Sequence, residues 1–212
     1  MSGHARTKAS YLKREGVYLL FAVSSWIFVK DNFCDMTQIT GESMAPTLSP
    51  AFGSSGAMDT VLWRKHLPTR NLTRGDVVLF STPHRAEGMA TKRVVALGGD
   101  TVLLDPRRRP ADAQNGRPSE AGKRWDVMYA QNGGRVVIPP GHVWVEGDNW
   151  RKTQDSNAYG PISRSLITGK AVSILWPLRQ FGQTPWKGWK GRTKVVPGKE
   201  VIDADATCWT PS

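Results

Sequence analysis

Two side chains in this sequence could make and break covalent bonds together, Ser43 and Lys92. A serine hydroxyl is a weak nucleophile at neutral pH until a neighbouring base takes its proton, so the base is the residue to find. Histidine and lysine are the candidates. The four histidines are His4, His66, His84 and His142, but no G-x-S-x-G elbow surrounds any serine, and His4 precedes an apolar run that separates it from Ser43. Lysine acts as a base only where burial strips its water and lowers its pKa, leaving the amine neutral part of the time. Lys92 has that setting: "MATKRVVALGGD" embeds it among Met89, Ala90, Val94 and Val95, whereas most other lysines lie in polar loops. Strand alternation puts Lys92 and Val94 on one face and Arg93 and Val95 on the other. If the first face is core, Lys92 points into it and Arg93 points outward or into a second layer. The plain alternative is an edge-strand lysine that discourages aggregation.

The elements that must position this pair read mainly as β. "DTVLWRKH" (59 to 66), "GDVVLFS" (75 to 81), "ATKRVVALG" (90 to 98), "DTVLLD" (100 to 105), "RVVIP" (135 to 139), "GHVWVEGD" (141 to 148) and "GKAVSILW" (169 to 176) are short and rich in Val, Ile and Leu. Gly, Pro, Asn or Asp separates most of them, as turns require, which predicts a curled antiparallel sheet. Residues 106 to 134 are polar and turn-rich and read as a mobile surface insertion; 181 to 212 read as a flexible tail in which "TPWKGWKGRTK" interleaves Trp186 and Trp189 with lysines. The domain expected between anchor and tail is 34 to 180.

At the N-terminus, a basic segment (1 to 15) leads into "GVYLLFAVSSWIFV", Gly16 to Val29. Fourteen helical residues reach only about 21 Å, so the run suits an interfacial helix or, extended to Phe33 with Lys30 snorkelling, one transmembrane helix. We expect an uncleaved anchor over 16 to 33, since no small-x-small cleavage pattern follows, with everything beyond residue 33 across the membrane from the basic N-terminus. At 212 residues, with 21 Gly and 14 Pro, the chain suits one core with appendages. Its net charge of +11 suits a nucleic-acid or anionic-membrane partner as well as a solvated basic surface. Cys34 and Cys208 form neither a metal motif nor a disulfide framework.

Four boxes in fixed order, "GESMAPTL", "RGDVVLF", "TKRVVALGGD" and "GDNWRKTQDSNAYG", together span about residues 39 to 176 and resemble the type I signal peptidases of the Ser/Lys class. Within that family, "DSNAYGPIS" followed by "GKAVSILWP" is more similar to the mitochondrial inner membrane proteases than to a bacterial leader peptidase. The resemblance implies Ser43 as nucleophile and Lys92 as general base, with Thr153 orienting the amine and Asp155 shaping the site on the turn of Asp148 and Asn149. Pro46 fixes its φ and Met44 packs apolar surface, which holds Ser43 at a rigid turn. Substrate would lie extended along Ile39, Gly41, Glu42 and Met44 on one side and Met89, Ala90 and Thr91 on the other.

Two departures from the family pattern stand out. Asn157 occupies a place where many bacterial members carry arginine, and Gly41 occupies one where they carry a serine that assists the oxyanion. The oxyanion would then rest on the Ser43 N–H, with Thr40 or a water as second donor. The resemblance further implies no metal or organic cofactor and precursor proteins with sorting peptides as substrates. It also implies an inner-membrane location facing the intermembrane space, and a heterodimer with the related first catalytic subunit. A non-catalytic subunit that stabilises such a partner is the alternative; no nucleic-acid partner is expected, and the self-cleaving repressors would carry a DNA-binding helix pair in place of the apolar run.

Overall fold

Alternation decides which side chains enter the core, and β2 (Thr60–Arg64) illustrates it: Val61 and Trp63 are fully buried while their neighbours stay partly exposed. The computed structural model of the chain describes residues 3 to 83, 88 to 110 and 120 to 198, residues 3 to 13 by backbone alone. Before β2 come α1 (Gly3–Asn32), β1 (Cys34–Gln38) and the short α2 (Phe52–Ser55). After it follow β3 (Val77–Ser81), β4 (Met89–Leu97), β5 (Thr101–Leu103), α3 (Glu120–Gln131), β6 (Arg135–Val137) and β7 (His142–Glu146). The short α4 (Ser156–Tyr159), β8 (Ile162–Ser163), β9 (Ile167–Trp176) and β10 (Lys194–Val196) complete the order.

Seven strands form one antiparallel sheet in the order β1-β2-β9-β3-β4-β7-β8, and β10-β5-β6 form a second, smaller one. The mainly β, antiparallel architecture expected from the sequence is therefore present. β4 is the spine. Its first residues, Met89 to Lys92, pair with β3 alone, and pairing with β7 begins only at Arg93 opposite Glu146. Burial along β4 follows that change, from exposed Met89 to side chains closed in on both faces from Lys92 onward.

Three apolar clusters fill the domain. One lies beneath the Ser43 loop and joins Ile39, Met44, Leu48, Trp63, Ile174 and Trp186. A second runs between β3, β4 and β7 through Val78, Phe80, Val94, Val143 and Val145. The third packs Trp125 of α3 against Val95, Ile138 and Trp144.

Two expectations need correction. Within the expected insertion, residues 120 to 131 form a 12-residue helix, α3, because Trp125 has an apolar pocket to fill and is only 4% exposed; residues 111 to 119 lie outside the described residues. Within the expected flexible tail, Trp186 is 4% exposed in the core beneath Ser43, and β10 extends the small sheet by pairing with β5; residues 199 to 212 lie outside the described residues. Of the interleaved tryptophans that suggest a solvated segment, Trp186 is a core residue and Trp189 packs partly buried against the third cluster, while Lys187 and Lys190 face outward. At the other end, the expected anchor falls on α1, whose apolar side chains such as Leu20, Phe21 and Trp26 are exposed. Among the described residues no helix is long and apolar enough to cross a membrane, because Arg14, Glu15, Lys30 and Asp31 confine the uncharged run to Gly16–Val29. The edge strands β1, β8 and β10 had no sequence signal strong enough to read, being short or half polar.

Trp186→Ala should cost about 3 to 5 kcal/mol in denaturant unfolding. Phe181→Ala, in the same segment but 64% exposed, should stay within about 0.5 kcal/mol of wild type.

Candidate active site

Ser43 sits on the loop that leaves β1, and the loop is closed at its base before its tip is shaped. Ser49 Oγ donates to the Ile39 carbonyl at 2.8 Å, while Asp59 accepts from the Ser49 N–H at 2.7 Å and its own N–H donates back to Ser49 Oγ. Met44 and Leu48, both essentially inaccessible, plug the loop into the core; the Ala45–Pro46 peptide between them is cis. From above, the Asn149 N–H donates to the Ser43 carbonyl at 3.0 Å. Gly147 makes this approach possible: a Cβ there would lie 2.6 Å from the Ser43 carbonyl oxygen and would collide with the Thr153 side chain. Gly41 adopts φ +87°, a backbone region that disfavours any side chain, which accounts for glycine at this position.

The structure brings Lys92 to Ser43. Lys92 Nζ is 2.8 Å from Ser43 Oγ and donates to the Thr91 carbonyl at 3.1 Å, and the residue is 5% exposed. Burial pushes the amine below its ordinary pKa, against the opposing pull of the Asp155 and Asp148 carboxylates. A serine hydroxyl and a desolvated amine at this separation can exchange a proton, which is the requirement set by the sequence.

The supporting residues divide. Asp155 is buried and accepts from the Gly147 N–H at 3.0 Å, the Asn157 N–H at 3.0 Å and the Asn157 side-chain amide at 2.9 Å, so it fixes the turn over Ser43 and caps α4. Asn157 thereby does by hydrogen bonding what an arginine would do by charge. The Thr153 hydroxyl is buried with no hydrogen-bond partner among the described residues, so the expected bond to Lys92 is not made. Ile39, Met89, Ala90 and Thr91 line an open groove of about 390 Å³ that also takes in Ser43 and Lys92. Gly41, Glu42 and Met44, grouped with them in the sequence reading, do not line it: Met44 is 1% exposed beneath the loop, and Glu42 turns to an ion pair with Lys152 at 2.6 Å.

Sequence reasoning missed the layer behind the dyad. Arg93, 1% exposed, holds Asp148 through two bonds of 2.8 and 2.5 Å, and also donates to the carbonyls of Gly75 and Trp186. Glu146 accepts from Trp144 Nε1 at 2.9 Å and from Thr193 Oγ1 at 2.6 Å, and pairs with Arg108. The alternation in β4 left Arg93 facing outward or into a second layer; nothing local in the sequence decides between them or names its partners.

Residues 10–176 match the family model "Signal peptidase, peptidase S26". The chain is 32% identical over 163 residues to the mitochondrial inner membrane protease subunit 2 of Saccharomyces cerevisiae, covering 74% of this chain and 79% of that one. It is 35% identical to subunit 2 of Mus musculus, over 69% of this chain and 70% of that one. Subunit 1 of the Homo sapiens protease is 31% identical over 65% of this chain and 69% of that one. The matched segment contains the Ser43 loop, the Lys92 strand and the Asp155 turn, and on that ground the chain belongs to the signal peptidase family, peptidase S26.

Proposed function

We propose that this chain is a membrane-anchored serine endopeptidase that removes sorting peptides from precursors delivered to the mitochondrial intermembrane space. The observation that carries this reading is the 2.8 Å approach of Ser43 Oγ to a Lys92 amine that is 5% exposed. Neutral Lys92 takes the hydroxyl proton as Ser43 Oγ attacks the scissile carbonyl carbon. The resulting ammonium gives that proton to the leaving amine, and the new N-terminus departs from a Ser43 acyl ester. Water, deprotonated in turn by Lys92, hydrolyses the ester and restores the hydroxyl.

Substrate lies extended in the groove, its main chain pairing with the edge of β4 at Met89 to Lys92 that β7 leaves open. The Ser43 N–H faces the developing oxyanion, with Thr40, a groove residue, as second donor. Thr153 supplies its unpaired hydroxyl to the Lys92 ammonium once that forms. The relatives' names support an inner-membrane setting and a two-subunit assembly, in which the partner is the related first catalytic subunit. The exposed apolar surface of α1 from Val17 to Val29 supports the bilayer as its other contact, with the catalytic domain in the intermembrane space.

Cleavage of a membrane-anchored precursor by the full chain in lipid, alone and with its partner subunit, tests the reading. Ser43→Ala and Lys92→Met should each abolish the cut. Survival of the cut by the assembled complex carrying either substitution would assign catalysis to the partner and leave this chain a stabilising subunit. Activity should rise with pH through one ionisation below the ordinary lysine value of 10.5.

Stability follows the same amine. Between its lowered pKa and 10.5 the unfolded chain binds more protons than the folded one, so stability rises with pH across that window. Lys92→Met should remove this slope in unfolding experiments. Thr153→Val should lower kcat about 10- to 100-fold with little change in KM, the loss of one hydrogen bond to a charged group.

A further inference from the structure

The family match ends at residue 176, yet the chain continues into the site from behind. Trp186 occupies the core beside Met44 and Leu48, the two residues that plug the Ser43 loop. Its carbonyl accepts from Arg93 Nη1 at 3.1 Å. Three residues later the Trp189 ring lies against the same guanidinium, 5.0 Å from its centroid. Thr193 then donates to Glu146, which stands opposite Arg93 across the β4–β7 ladder. Residues 186 to 193 therefore form a strap whose contacts converge on Arg93 and its neighbours.

We infer that Trp189 is a positioning residue for the proton transfer at Lys92, acting through Arg93: its ring clamps the guanidinium over Asp148. The inference rests on the Ser43–Lys92 reading. Its geometry is specific. Arg93 follows Lys92 on β4 and is bonded twice to Asp148, whose carboxylate bears on the Lys92 amine. Trp189 also lines a cavity of about 190 Å³ shared with Thr47, Gly147 and Asp148, directly behind the Ser43 loop.

Loosening the clamp leaves Asp148 less neutralised by Arg93, and its carboxylate then favours the Lys92 ammonium more strongly. The remaining groups around Lys92 do not compensate. Asp155 is tied to Gly147 and Asn157, Tyr159 is a buried phenol held neutral by burial and by Asp155, and Glu146 is tied to Arg108 and Thr193. Lys92 therefore becomes harder to deprotonate.

The test is the titration of the Lys92 amine in the full-length protein, followed by 15N NMR of labelled lysine, in wild type, Trp189→Leu and Trp189→Phe. Trp189 is only partly buried, so the variants retain the core under Ser43. Trp189→Leu should raise the midpoint by about half to one pH unit, and Trp189→Phe, which keeps an aromatic face, should restore most of it. In the cleavage assay the same variant should shift the pH profile upward by that amount and lower kcat at neutral pH about three- to tenfold, with KM unchanged. An unshifted Lys92 midpoint in Trp189→Leu overturns the inference, whatever the change in unfolding midpoint. Because the titration needs no substrate, it decides the role of Trp189 even if wild type shows no Ser43-dependent cut, a result that would sink the proposed function instead.

Discussion

In the proposed mechanism, an amine that must stay uncharged is the constraint around which this domain is organised. Water would solvate the Lys92 ammonium and return it to the ordinary lysine range, so the base exists only as long as its surroundings are dry. β4 provides that dryness by changing character along its length. It begins as a strand with one neighbour and becomes one with two, and Lys92 lies at the last position before the second neighbour arrives. One residue later the strand is enclosed and could not admit a substrate; at its start, exposed Met89 marks a stretch too wet to depress a pKa.

The same burial creates an electrostatic problem that the second layer answers. Asp148 and Asp155 both bear on the ammonium, and both belong to the turn that grips the Ser43 carbonyl: Asp148 lies between Gly147 and Asn149, and Asp155 accepts from the Gly147 N–H. Arg93 neutralises the first with a two-bond ion pair, and the backbone N–H groups and amide around Asp155 occupy the second. A buried ion pair of this kind contributes little net stability once desolvation is counted. Its value here lies in letting carboxylates shape the turn while limiting their pull on the base.

The approach of Ser43 and Lys92 was legible because both residues leave local signatures: a serine in a turn with flanking apolar and proline residues, and a lysine inside an otherwise apolar strand. The strands rich in Val, Ile and Leu were legible for the same reason. What stayed hidden depends on contacts distant in sequence. Trp186 reads as a solvated tail residue beside Lys187 until Ile39, Met44 and Trp63 are seen to leave room for it, and α3 looks like polar insertion until Trp125 meets Trp144. Thr153 shows the converse. The sequence pattern singles it out, but a hydroxyl's bonding partner is decided within tenths of an ångström, and among the described residues it has none.

The grip of Asn149 on the Ser43 carbonyl has a consequence in time. More than a hundred residues separate the two ends of that bond, and the strap at Trp186 comes later still in the chain. During synthesis the serine therefore emerges long before the groups that hold it and dry its base. In the proposed mechanism, a partly made or clipped chain carries the serine without the groups that dry its base, so hydrolysis waits until the last of these layers is in place.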